Sequence, residues 1–406
     1  MIEEAAGVAA NRYFNCDSEK RIFALNARMD RMAFLSPVHI GDVAKVQARV
    51  VFASDHTVAV SIRVLAERMS RYKRPLTSAD IEDDVCNQAL VWMVGMFMPE
   101  NQSAVELLRK NPKALERAKA PSFPIPDPED DQELYQIHQL AAESYERRKN
   151  KKQIDICSSE EIPIAGSFLE PGSVVSGEKR GTNKDLRLTP DYSAVELAQV
   201  MLPSDCYTPT GLVAGGTILK LTDNACGIAC IRHCGTNVVT ISVDSVNLMA
   251  PVLMGDVIRV QARPTFTSSK SIEFQVNVIA ERFVKNPSNP IEDQTQSELV
   301  RENIVIIQNA YFTFVSLALQ SEASGVSDDD NIKSLPMRPL VIQTIRERER
   351  FEAGRRRYEK RKQQRMKLKE QKERSKAKRN GDEYLFNIGM VILTVIDCGI
   401  LWLTGS

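Results

Sequence analysis

The 406-residue sequence carries no net charge, because 53 Lys and Arg offset 53 Asp and Glu. A balance of that kind points to no polyanionic partner for the chain as a whole. There is no CxxC pair either. The eight cysteines (Cys16, Cys86, Cys157, Cys206, Cys226, Cys230, Cys234 and Cys398) stand singly. That excludes zinc ribbons and disulfide scaffolds and reads as a cytosolic protein with reduced thiols. The first ten residues hold Glu3 and Glu4 and no basic run, so neither a secretory signal nor a transit peptide is expected there. No P-loop, GxSxG elbow or HExxH sequence occurs, which removes the usual nucleotide, serine-hydrolase and zincin chemistries. Apolar residues at 43% and charged residues at 26% are ordinary globular usage, and the length allows about two or three domains.

Charge is unevenly spread. Between Arg346 and Arg379 there are 17 basic and 6 acidic residues, so the remainder of the chain is acidic by the same excess. The Glu–Arg/Lys spacings predict a solvated basic helix over 346–380, about 50 Å long. Only Phe351 and Tyr358 interleave with its charge, and nucleic acid is not an expected partner. Residues 384–404, YLFNIGMVILTVIDCGILWLT, could span a hydrocarbon layer of about 30 Å. Asn387 and Asp397 speak against a span and Tyr384, Trp402 and the upstream positive block for it. The segment is read as a possible transmembrane tail facing the cytosol, against a buried or partner-binding apolar helix.

What is present is a long repeat. Residues 37–68, PVHIGDVAKVQARVVFASDHTVAVSIRVLAER, recur as 251–282, PVLMGDVIRVQARPTFTSSKSIEFQVNVIAER. MIEEAAGVAA at the start pairs with LTDNACGIAC (221–230), and Tyr145-Glu146 pairs with Tyr358-Glu359. A period above 200 residues is too long for a solenoid and means a duplicated domain. Each copy has a helix rich in small residues, then alternating strands such as Ile258-Val260-Ala262 against Val257-Arg259-Gln261. Ser54-Asp55 and Ser268-Ser269 fit hairpin tips, and Gly41-Asp42 and Gly255-Asp256 fit turns. An apolar closing strand (Leu90–Met98; Ile304–Leu319), a proline-rich stretch and a charged helix end each copy. A small-residue helix wrapped by a curved antiparallel sheet is the α+β hotdog geometry. The expected organisation is a first hotdog domain at 1–155, a linker at 156–190 and a second hotdog domain at 191–345.

Three blocks in order, GLVAGGTILKLTDNACGIACIRHC (211–234), the second repeat with its lead-in SVDSVNLMA, and AYFTFVSL (310–317), resemble the double-hotdog cytosolic acyl-CoA thioesterases of the brain acyl-CoA hydrolase type. The likeness covers roughly residues 1–365. It implies hydrolysis of long-chain fatty acyl-CoA to free fatty acid and coenzyme A, with no cofactor, in a homo-oligomer of three double-hotdog chains. It further implies Asp223 as general base or nucleophile, Gly215 and Gly216 as helix-N-terminal oxyanion donors, and Glu3 as the remnant of a second site. Arg232, Thr267, Ser268 and Lys270 become candidate coenzyme A contacts. Against the family pattern, Met1 aligns with Leu221, so the strand and the Asn-bearing loop before the first helix are missing, as in a shortened reading frame. Leu212 is expected to face Glu3 where the family has an amide. Neither carboxylate–amide pair is then complete, which predicts weak turnover, and a non-catalytic acyl-CoA binding or scaffolding member is the rival reading.

Other clusters have plainer readings. Cys226, Cys230 and Cys234 share one helical face beside His233, but ligands strung over two turns do not converge on a tetrahedral ion, so they read as packing residues and no metal is expected. A dehydratase-type site would need a histidine beside the central helix, whereas His39, His56 and His138 fall elsewhere in the pattern.

Overall fold

The computed structural model describes residues 1–363 and 366, apart from 17–20, 31, 37, 39–41, 68–83, 100–102, 112–113, 156–187, 208–209, 286–298 and 319–333. Residues 384–404 lie outside the described part, as does His39. Residues 1–351 form one compact unit, and the described residues from 352 onward belong to a second. Residues 345–363 are helical.

In the first half, helix α1 (Ile2–Phe14) precedes strands β1 (Ile22–Met29), β2 (Met32–Phe34), β3 (Val43–Ala53), β4 (Thr57–Glu67) and β5 (Asp84–Phe97), then helices α2 (Ala104–Lys110) and α3 (Gln132–Asp155). The second half runs from the short helix α4 (Pro190–Ser193) through β6 (Val195–Val200), β7 (Cys206–Tyr207) and β8 (Leu212–Val213) to helix α5 (Gly215–Cys234). Strands β9 (Asn237–Val243), β10 (Val246–Asn247), β11 (Val257–Thr267), β12 (Ser271–Lys285) and β13 (Leu299–Leu317) follow. Both closing strands start several residues before the apolar run that marks them in the sequence. Asn87 and Arg301 are carried into the ladder by backbone pairing with Val64 and Phe283.

Alternation decides which face each strand buries. Ile258, Val260 and Ala262 pack inward with Cys226, Ala229 and Cys230 of α5 in one core. Val58, Val60 and Ile62 do the same with Ala6 and Ala10 of α1. Alanine, cysteine and glycine on the buried helical faces let each helix lie close to its sheet. The halves nevertheless share one 11-stranded antiparallel sheet. Met29 of β1 pairs with Val246 of β10, and Met32 of β2 pairs with Val243 of β9, a twofold exchange at the seam.

The repeats also clasp their proline-rich stretches alike. Tyr13, in the last turn of α1, donates its hydroxyl to the Pro121 carbonyl at 3.2 Å. His233, in the last turn of α5, donates from Nε2 to the Arg338 carbonyl at 3.0 Å and accepts from Ser193 at Nδ1. Two differences separate the copies. Strand β11 is flanked by β6 and β12, whereas β3 pairs only with β4 among the described residues. On the outer face, Val51, Ala59 and Trp92 pack under α3, where the second copy carries the buried polar residues Thr265, Glu273 and Thr313.

Candidate functional site

Helix α5 begins at Gly215 after Ala214, which gives it no side-chain cap. Its first N–H groups are therefore orphans that need an acceptor, and the acceptor comes from the other half of the chain. Glu3, in the first turn of α1, is buried with Oε1 accepting from Gly215 N at 2.9 Å and Oε2 accepting from Gly216 N. The two glycines make this approach possible. A Cβ at 215 would stand 2.7 Å from Glu3 Oε1 and 2.8 Å from Leu248 Cδ1, and one at 216 would stand 2.8 Å from Oε2.

Burial raises the Glu3 pKa above the usual carboxylate value, and the two glycine amides, Tyr207 and Asn26 pull it partly back. The Asn26 side-chain amide lies against the Glu3 carboxylate and favours its charged form. Tyr207 is pushed well above the ordinary phenol range, by burial first and then by the Glu3 charge.

Asp223 lies two turns further along α5. Thr240 of β9 donates its hydroxyl to Asp223 Oδ1 at 2.7 Å. Burial raises the Asp223 pKa and the Thr240 bond partly lowers it. The repeat relates Thr240 to Asn26, so each helix acid meets a polar residue from the first long strand of its own copy.

Gly215 and Gly216, expected as oxyanion donors of the α5 N-terminus, donate to Glu3, because α1 carries its first-turn acid directly to that N-terminus. Leu212, expected opposite Glu3, is buried in a cluster with Val105, Leu108 and Leu253. Asn26, Tyr207 and Thr240 escape sequence reasoning. Asn26 lies in the next element of the same copy as Glu3, Tyr207 comes from the other half of the chain, and Thr240 lies 17 residues from Asp223 in another element. Alignment of the two copies, which brings Asn26 and Thr240 to one position, is the signal that could have found them.

The candidate coenzyme A contacts are dispersed. Exposed Arg232 donates to the Ala194 carbonyl at 3.0 Å. Thr267 accepts from Leu340 N, and Ser268 closes its hairpin against Ser271. Lys270 is exposed at that tip. Cys226, Cys230 and Cys234 are buried, and no metal-holding group of acidic, His or Cys side chains occurs among the described residues. His56 and His138 each donate a ring N–H to a backbone carbonyl, of Ala118 and Val51.

A family model described as Thioesterase superfamily matches residues 1–72 and 210–282. The cytosolic acyl coenzyme A thioester hydrolase of Homo sapiens is 31% identical over 358 residues, covering 88% of this chain and 76% of the relative. The chain belongs to this family of cytosolic acyl-CoA thioester hydrolases. A putative cytosolic acyl coenzyme A thioester hydrolase-like protein of Homo sapiens is 28% identical over 284 residues, covering 70% of this chain and 94% of that protein. Among solved structures, an acyl-CoA hydrolase from Staphylococcus aureus in complex with butyryl coenzyme A is 22% identical. It covers 46% of this chain and 96% of that one, with a TM-score of 0.34. For a member of this family, the acids carried by the two central helices are the groups to weigh, and they differ in how they are held. Glu3 has both oxygens bound, whereas Asp223 has one oxygen held by Thr240 and no hydrogen-bond partner for Oδ2 among the described residues.

Proposed function

We propose that the chain hydrolyses fatty acyl-CoA thioesters to free fatty acid and coenzyme A, with Asp223 as the general base. One observation carries the choice of acid: Thr240 fixes Oδ1 of Asp223 and leaves Oδ2 uncommitted. A thioester carbonyl is already electrophilic, so what it needs is a water relieved of its proton. Asp223 Oδ2 takes that proton, the water oxygen bonds to the carbonyl carbon, the C–S bond breaks, and the departing sulfur leaves as the thiol after protonation. Burial raises the Asp223 pKa, which makes it a stronger base than an exposed aspartate.

The test is thiol release from palmitoyl-CoA by the full chain and by Asp223→Asn. Loss of about 10²–10⁴ in kcat/KM is expected for removing a general base. Unchanged turnover in the variant rejects Asp223, and no turnover by the unaltered chain rejects the hydrolase reading in favour of acyl-CoA binding. Exposed Lys270 and Arg232 are the cations available for the coenzyme A phosphates. A homo-oligomer of three chains accords with the exposed Val8, Ile228 and Ile231 on the central helices, and light scattering reads its mass. The homologues are cytosolic proteins by name, and no helix among the described residues is long and apolar enough to cross a membrane. A tail anchor at 384–404 would add a membrane to the chain's partners.

A further inference from the structure

We propose that Asn87 is a substrate-contacting residue of the Asp223 site, its side-chain amide holding the thioester carbonyl oxygen while Asp223 draws a proton from the attacking water. The proposal rests on the thioesterase reading above. Asn87 is 4% exposed, and neither its Nδ2 nor its Oδ1 has a hydrogen-bond partner among the described residues. A buried amide left in that state is destabilising and calls for an explanation. The repeat shows that the fold does not require it. Ile307 pairs with Val278 as Asn87 pairs with Val64, and Ile307 belongs to the apolar core. The first copy therefore carries an amide where the second carries a core isoleucine.

Strand register places that amide beside Asp223. Residues paired directly across an antiparallel ladder share a face, and Asn87 is paired with Val64 on one side and Phe34 on the other. Buried Val64 continues the core-facing alternation of Val58, Val60 and Ile62, so Asn87 and Phe34 lie on the core side too. Across the seam Ala33 pairs with Ser242. Phe34 then stands opposite Ile241, next to Thr240, whose hydroxyl holds Asp223. The same row in the second copy ends at Leu248, the repeat mate of Phe34. Leu248 Cδ1 would stand 2.8 Å from a Cβ at Gly215, where Glu3 also sits. The twofold exchange thus carries each row to the helix acid of the opposite copy, Leu248 to Glu3 and Phe34 with Asn87 to Asp223.

A thioester and its water need both halves of an amide. Nδ2 donates to the carbonyl oxygen, which gains negative charge as the water oxygen bonds to carbon, and a fixed donor shielded from solvent holds that charge strongly. Oδ1 accepts the second hydrogen of the water while the first goes to Asp223. The C–S bond then breaks, the sulfur takes up a proton, and the amide returns unchanged. Phe34 is 42% exposed, so its ring can swing aside to admit the thioester.

Two measurements on the full chain test this, with Asn87→Ile as the variant because the repeat already fits isoleucine at that place. In the first, palmitoyl-CoA hydrolysis is resolved into kcat and KM, and urea unfolding gives the midpoint. A fall of about 10²–10³ in kcat is expected, with KM little changed and the midpoint equal or higher. Unchanged kcat overturns the assignment. In the second, affinity is measured for two unreactive analogues of palmitoyl-CoA, a ketone with a methylene between carbonyl and sulfur and a thioether lacking the carbonyl. The unaltered chain should bind the ketone about tenfold more tightly than the thioether, and Asn87→Ile should bind both alike. A ketone preference that survives the substitution overturns the proposal. If the unaltered chain releases no thiol, the thioesterase reading fails, and the analogue preference alone then upholds or overturns the contact. Should Asn87→Ile lower the midpoint, Asn87→Leu, which keeps the branch at Cγ and loses both polar atoms, carries the same comparisons.

Discussion

Replacing Glu3 with alanine should destabilise the chain by about 2–4 kcal/mol, whereas glutamine should change its stability by less than about 1 kcal/mol. The alanine variant strands the Gly215 and Gly216 N–H groups, and a buried donor left unmade costs roughly 1–3 kcal/mol. The sum is reduced because the carboxylate itself is held in an unfavourable place, as its burial-raised pKa records. Glutamine keeps a carbonyl oxygen for one amide and sheds the buried charge, so its loss and gain nearly cancel. The same balance fixes a pH dependence. A carboxyl whose folded pKa exceeds its unfolded value binds more protons when folded, so its contribution is fully present below pH 4.5 and is lost as pH rises through the folded value. Urea unfolding at pH 5 and pH 7.5 reads both effects through the midpoint at constant slope. The unaltered chain should lose stability over that rise from this group, and the glutamine variant should not. Equal losses for alanine and glutamine, or an alanine variant within about 0.5 kcal/mol of the parent, would refute the bidentate contact.

Three further outcomes follow from other contacts. Thr240→Val removes the bond that lowers the Asp223 pKa, so the acid limb of the kcat/KM profile should move to higher pH. An unmoved limb separates Thr240 from the titrating group. His233 has its pKa lowered, mainly by burial, so the unfolded chain binds the proton more readily. Stability should fall as pH drops below about 6.5 towards the lower folded value, and His233→Phe should abolish that component while losing about 1 kcal/mol or more for the orphaned Ser193 and Arg338 partners. A tail anchor at 384–404 predicts that the full chain resists carbonate extraction from membranes while a chain ending at Asn380 is released. Full release of both discards it.

The sequence alone determined the duplication, and with it much of the architecture. An offset of more than two hundred residues, shared by separated blocks, leaves little freedom, because copies of one amphipathic pattern bury the same faces. Ile258, Val260 and Ala262 turned inward as period-two alternation requires, and the hairpin tips at Ser54 and Ser268 join the strands they should. The small residues of both central helices were likewise readable as close-packing faces. Tertiary structure alone decided the seam. That Met29 pairs with Val246 and Met32 with Val243 depends on strand exchange between the halves, which no local periodicity encodes. The exchange brings α1 against the start of α5 and gives Glu3 the two glycine donors that the resemblance had offered to a substrate oxygen. Side-chain reach settled the rest: a carboxylate one methylene longer, meeting a helix end without Cβ atoms, fills a position that the linear pattern presents as open.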